Sequence, residues 1–295
     1  MLDLFSVPQA IPGIHWRIAL AVIFTTAMAY YDIFNKKWVP NTLIYGFAAC
    51  AIAINFVFYD PALTWSALAL GLIIFALCYA LYRMGQLGGA DAYALGSIAA
   101  SIPFLPAPLL VQQQSVPYPF ILSVLAPTGI AFMLHMALRF VPYVARRLAA
   151  GKIHFTLEKS AGPALLAFAF IAFIYALASL PLPFPPAYFA ILFFLAISLL
   201  FFSLFKSEIK DSMIEMVPVR KLQEEDVFAI EKMNPAVAKK LGLRAVISAK
   251  MIASLRKAKV KSVPVYTGMP FFLPYLFFGL LFTLLFGDML MHLLG

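Results

Sequence analysis

Long apolar runs dominate the chain, broken at intervals by short polar or proline-rich stretches, and none of the runs alternates with the two-residue period of a strand. A bilayer-spanning helix needs about 20 largely apolar residues, and lipid requires every backbone polar group to be satisfied within the segment. The runs therefore predict helices near Ile14 to Phe34, Leu43 to Tyr59, Leu63 to Tyr82, Asp91 to Leu105, Phe120 to Tyr143, Pro163 to Leu180, Tyr188 to Phe205 and Phe271 to Leu293. The fourth is short and rich in Ala, Gly and Ser, which suits a helix enclosed by its neighbours, because small side chains let helices approach closely.

Composition agrees with this pattern. Of the 295 residues 63% are hydrophobic and 12% charged, whereas soluble domains average roughly 45 to 50% and 25%. The mean hydropathy is +0.92. The predicted fold class is an all-α polytopic membrane bundle of about eight transmembrane helices with a small helical cytoplasmic insertion. Its expected divisions are an N-terminal bundle (1–162), an added transmembrane hairpin (163–205), a cytoplasmic helical segment (206–268) and a final span (269–295).

Charge sets the expected orientation. If Lys36 and Lys37 are cytoplasmic, so are Arg83, Arg146, Arg147, Lys152, Lys159 and the thirteen basic residues from Lys206 to Lys261. Arg139 lies in the last turns of span five, and Arg17 alone falls on the other side. Both termini are then extracytoplasmic, in a multi-pass protein of the cell membrane. The first span has its basic residues after the apolar run and lacks a small-residue cleavage site, so it is expected to be retained. The net charge of +9 belongs to one membrane face and does not call for nucleic acid.

Metal and cofactor chemistry is not signalled. Cys50 and Cys78 lie within spans without CxxC spacing, and His15, His135, His154 and His292 are scattered with no i, i+4 partner. In the polar segment, Glu224, Glu225, Asp226 and Glu231 open an acidic helical stretch, Asn234-Pro235 marks a break and Gly242 a stop. A second helix is expected over about Leu243 to Lys259. There Leu243, Val246, Ile247, Lys250, Met251, Ser254 and Leu255 form a mostly apolar stripe with a basic remainder, which suits either a helix that lies on the anionic inner leaflet or guides a substrate, or a small cytoplasmic subdomain that solvates its own face.

Two acids stand out. Asp32 ends the first span and Asp91 opens the fourth, and the alternation of span direction places both at the same membrane depth on the cytoplasmic side. An ionisable group there costs on the order of 3 kcal/mol, which marks it as functional with a partner to be found. Each is the natural partner of the other. Two carboxylates in a low-dielectric site hold one proton between them, the state that aspartic proteolysis uses. Gly88-Gly89-Ala90-Asp91, with Gly85 upstream, leaves a backbone without bulk that an extended substrate can approach. Near Asp32 come Lys36, Lys37 and Pro40-Asn41, where proline stops a helix and Asn41 could cap the next.

Asp32, Lys37 and Pro40-Asn41, followed by Gly88-Gly89-Ala90-Asp91, resemble the archaeal prepilin and preflagellin peptidases, relatives of the bacterial type IV prepilin peptidases and aspartic membrane proteases of the GxGD type. Pro270, Pro274 and Gly279 in the last span fit the proline-rich closing helix of that family. The resemblance implies that Asp32 and Asp91 are catalytic, that Gly88, Gly89, Lys37 and Pro40 contact substrate, and that no cofactor or metal takes part. The implied partners are prepilin or preflagellin precursors, with a short basic leader before an apolar helix, and membrane lipid. Bacterial relatives also N-methylate their products and often carry a cysteine-rich segment; none is present, so peptidase activity alone is expected. Tyr93 stands where the family commonly has a basic residue, and 163–205 is an addition to smaller members.

Two other readings compete. Tyr31-Asp32, the Gly88 to Asp91 stretch and Pro163-Ala164-Leu165 echo the presenilin and signal-peptide-peptidase proteases, although there the aspartates occupy consecutive spans. A proton-coupled transporter also uses membrane carboxylates, usually nearer the midplane and in repeated halves.

Overall fold

The computed structural model describes residues 11–35, 38–84, 86–111, 116, 118–153, 157–179, 186–222, 226–233, 247–258, 260–267, 271–289 and 291. Every predicted apolar segment forms a helix: α1 (Ile14–Phe34), α2 (Asn41–Val57), α3 (Pro61–Arg83), α4 (Gly89–Ser101), α5 (Phe120–Ala149), α6 (Leu157–Ala178), α7 (Pro186–Leu204) and, after a polar segment, a last helix at Leu273–Phe286. Length and composition qualify α1, α3, α5 and Ser160–Ala178 of α6 as membrane spans, and α7 makes a fifth with α8 (Lys206–Ser212), into which it bends by 71°. The other three helices are shorter, so the count of eight spans is not fixed by length alone.

Local signals explain most boundaries. Asp60 caps α3 by accepting from the Leu63 amide at 2.9 Å, with proline in the first turn. The cap of α2 is Pro40 rather than Asn41, which already lies in the first turn. Pro163, expected to open a span, lies inside α6 instead, and Pro127 and Pro142 lie inside α5. Neighbouring packing and solvated interfacial ends let a membrane helix absorb the missing amide.

The bundle is built around α4. Ten of its residues are buried, and its small side chains admit α3 and α2 at close range. A Cβ added at Gly71 of α3 would fall 2.6 Å from the Cβ of Ala100, and one at Gly96 of α4 2.8 Å from that of Phe75. α1 covers another side of α4 with a buried stripe of Arg17, Ala21, Thr25, Met28 and Asp32, spaced by three and four residues. The last helix, here α10 (Leu273–Phe286), packs between α1 and α5. Its Gly279 meets α5 so closely that a Cβ would lie 2.6 Å from the Val124 carbonyl and collide with Thr128.

The loop after α4 closes the end of the bundle away from Asp32. Leu109 and Leu110 donate to the Leu284 and Leu285 carbonyls at 3.1 and 2.9 Å. At that end the fully buried Asp288 accepts from the Met291 amide and from Tyr118, whose phenol is pushed up by burial and by this bond.

The polar segment is not purely helical. Strand β1 (Ile214–Pro218) pairs antiparallel with β2 (Ser262–Tyr266), Ile214 opposite Tyr266, and Phe228 bridges to Val265 where an acidic helix was expected. Around Glu231 only a 3-10 turn forms, over Ile230–Lys232. Helix α9 (Ala249–Lys257) is shorter than the predicted 243–259, and Glu224, Glu225, Asn234, Pro235, Gly242, Leu243 and Val246 lie outside the described residues. Its Met251, Ile252 and Leu255 pack with Val219, Phe228, Val263 and Val265, so the apolar stripe serves a subdomain core and leaves the basic face outward.

This subdomain meets α8 through Lys232 with Asp211 at 2.8 Å and Lys210 with Glu231 at 3.7 Å. Tyr266 donates to Glu231 and, with Lys210, holds that carboxyl below its usual range. On the membrane side, Phe140 and Val144 of α5 pack with Phe205 and Ile209, while α6 packs on α7.

Gly279→Ala is expected to lower stability by about 1–3 kcal/mol through overpacking against Thr128 and the Val124 carbonyl. Thermal unfolding of the protein in detergent measures it, and an unchanged midpoint would contradict the close crossing.

Candidate functional site

Asp32 and Asp91 are both buried, at 7% and 9% exposure, although each lies within the last or first turn of its helix. α1 brings Asp32 in at its C-terminal end on the same stripe as Met28, and α4 brings Asp91 in as the third residue of its first turn. Helices α1 and α4 run in opposite directions and pack together, so the two acids share one end of the bundle. The carboxylates act on each other electrostatically. In surroundings of Leu87, Ala90 and Ala94, that repulsion is poorly screened.

Gly88 explains how Asp91 is held. Its amide donates to Asp91 Oδ2 at 3.0 Å, closing the reciprocal half of a capping box at the start of α4. A carboxylate in this first turn also meets the positive end of the helix dipole. A Cβ at Gly88 would lie 2.7 Å from Oδ2, so any side chain there pushes on the acid itself. Gly89 is less constrained, with the Tyr82 ring 3.4 Å from an added Cβ.

The remaining predicted site residues are distributed differently. Pro40 caps α2 at this end of the bundle, while Lys37 and Gly85 lie outside the described residues. Tyr93, in place of a basic residue, turns into an aromatic cluster with Phe75 at 4.7 Å and Tyr45 at 5.5 Å, linking α4 to α3 and α2. Tyr79 and Tyr82 extend the cluster along α3 toward Gly89.

Sequence reasoning set Cys78 aside for want of CxxC spacing, yet α3 places its thiol within electrostatic reach of Asp91. Nothing in local sequence marks that proximity; it follows from the Gly71 and Gly96 crossing. Among the described residues, no group of three or more His, Cys, Asp and Glu side chains gathers as metal ligands would.

Residues 19–132, from the first turns of α1 to the middle of α5, match the family model of the type IV leader peptidase family. Over this segment, less than half of the chain, the sequence is similar to that family. No curated protein and no solved structure matches the chain. The matched segment contains Asp32, Asp91, the Gly88 cap and the whole of α4; the hairpin of α6 and α7, the polar subdomain and α10 lie beyond it. The family is one of proteases, which fits a multi-pass membrane protein with a carboxylate pair at one end of its bundle.

For this leader peptidase relative, Gly88→Ala is expected to preserve folding and to cut proteolysis by at least about tenfold, because the new methyl displaces Asp91 Oδ2. Turnover of the monodisperse variant checks this, and wild-type turnover would show that the acid's position is not critical.

Proposed function

We propose that the protein is a membrane aspartic endopeptidase that removes the short basic leader from prepilin- or preflagellin-like precursors, with Asp32 and Asp91 as its catalytic pair. The observation that carries this reading is the burial of two mutually repelling carboxylates where α1 ends and α4 begins. Such a pair is costly in an apolar bundle and of no structural benefit as a pair of like charges. Its chemical use is clear: one member ionised, the other protonated.

The ionised carboxylate takes a proton from a bound water, whose oxygen attacks the scissile carbonyl carbon. The protonated partner hydrogen-bonds the carbonyl oxygen as negative charge develops there, and a proton then passes to the leaving amine as the C–N bond breaks. The pair titrates as one unit, so the starting base is a property of the dyad rather than of either residue.

Orientation toward the cytoplasm is supported by the basic residues grouped at this end, among them Arg83, Arg146, Arg147 and Lys152. A precursor leader rich in basic residues meets the two acids at the membrane boundary, and its apolar helix stays in the lipid. The position of both acids at helix ends, away from mid-helix, favours this reading over transport. Two intervening helices, α2 and α3, separate them in sequence, unlike the consecutive spans of presenilin-type proteases.

Purified protein in lipid is expected to shorten a precursor bearing a basic leader, with Asp32→Asn and Asp91→Asn each lowering the rate at least about 100-fold. Gel-shift cleavage assays measure it. Full activity in either variant, or loss of wild-type activity with a chelator, would overturn the dyad mechanism.

A further inference from the structure

We propose that Arg17 is a positioning residue for the Asp32 and Asp91 pair, pinning α1 to α2 and α4 at the opposite end of the bundle and thereby setting the axial register in which the two acids meet. The inference rests on the reading of that pair as catalytic.

Arg17 is completely buried, in a chain whose other described basic residues gather at the far end of the bundle or on the polar subdomain. Among the described residues no carboxylate lies within ion-pair distance of it. Its partners are neutral oxygens: Nε donates to the Pro12 carbonyl at 3.0 Å, and Nη1 donates to Asn55 Oδ1 at 2.8 Å and to the Ser101 carbonyl at 2.9 Å. Among the described residues Nη2 has no hydrogen-bond partner. Asn55 carries the connection onward, donating to the Ala51 and Ala100 carbonyls at 2.8 and 3.0 Å and accepting Thr64 Oγ1 on its own carbonyl at 3.0 Å. One guanidinium thus ties α1 directly to α2 and α4, and Asn55 extends the tie to α3.

The electrostatics identify what this arrangement gains. Asn55 and Ser101 lie in the last turns of α2 and α4, where unpaired carbonyls present the negative ends of two helix dipoles. Arg17 lies in the first turn of α1, where its charge opposes that helix's own dipole. A buried cation with no counter-ion among the described residues is a poor source of stability compared with apolar packing, but it is selective. Its donors fit one axial placement of α1 against α2 and α4, whereas an apolar stripe tolerates sliding.

A slip of one residue along a helix is a translation of about 1.5 Å. Asp32 lies fifteen residues beyond Arg17 on the same buried stripe, about 22 Å along a stiff rod, so a slip at the pin arrives undiminished at the acids. Ser101 occupies the corresponding place on α4, ten residues after Asp91. Misplacement of reacting groups by about 1 Å costs up to about 100-fold in rate even when its origin is distant.

The test is steady-state cleavage of a basic-leader precursor by full-length protein in lipid, for Arg17→Lys and for Arg17→Met combined with Asn55→Leu. Lysine keeps the charge but has one nitrogen in place of the fork, and the double variant removes the guanidinium together with the Asn55 side chain so that neither of these two is left facing an apolar partner. In both, kcat per mole of monodisperse enzyme is expected to fall at least about tenfold while KM stays within about threefold, because the leader-binding surface is remote from the pin. Unchanged kcat in the folded fraction of either variant, with only yield or thermal midpoint reduced, would overturn the positioning role. Asp32→Asn run in parallel separates the two claims: activity in that variant refutes the dyad, whereas its inactivity beside fully active Arg17 variants refutes the pin alone.

Discussion

A polar group inside a bilayer has no water to fall back on, and this bundle is arranged so that its buried charges find protein partners at the ends of helices, where backbone groups are unpaired. α4 supplies both kinds of end. Its N-terminus offers the Gly88 amide to Asp91, and its C-terminus offers the Ser101 carbonyl to Arg17. The helix can do so only because it is short and made of small residues, so that both termini lie inside the packed region with α1, α2 and α3 close around them. The Gly71 and Gly96 crossing is therefore a condition of the site as well as of the fold.

The sequence was most informative where the physics is local or fixed by the membrane. Apolar runs located all eight helices because lipid leaves a buried chain few alternatives, and the Ala, Gly and Ser content of α4 was enough to place it inside. Parity of the spans brought Asp32 and Asp91 to one end, and the structure joins them in one electrostatic site. Gly88 was read as room for a substrate, while the structure gives it a second use, an amide aimed at Asp91 that a side chain would spoil.

What remained hidden depends on long-range pairing. Strands β1 and β2 lie more than forty residues apart, and neither Ile214–Pro218 nor Ser262–Tyr266 shows a strand pattern longer than five residues. The stripe on α9 was legible as amphipathic, but the surface that covers it, Val219, Phe228, Val263 and Val265, assembles only when those strands pair. Cys78 and Arg17 belong to the same class. Arg17 did leave a trace, as the single basic residue off the expected face, since a charge in the wrong place by topology must be explained by a partner.

The two ends of α1 then acquire a common logic. A peptidase dyad needs its carboxylates close enough to hold one proton between them, yet two like charges supply no attraction to keep themselves in place. Their spacing must be imposed from elsewhere. Apolar residues of α1 and α4, among them Ala21, Met28, Ala29, Ala94, Leu95 and Ile98, share one buried cluster, which supplies non-directional adhesion between the helices. Directional hydrogen bonds resist sliding, and Arg17 makes one directly between these two helices, to the Ser101 carbonyl, while Asn55 of α2 bonds both Arg17 and the Ala100 carbonyl. On the proposed reading, a repulsive pair at one end and a directional guanidinium clamp at the other are complementary parts of one device, in which the clamp provides the geometric definition that the two acids cannot provide for themselves.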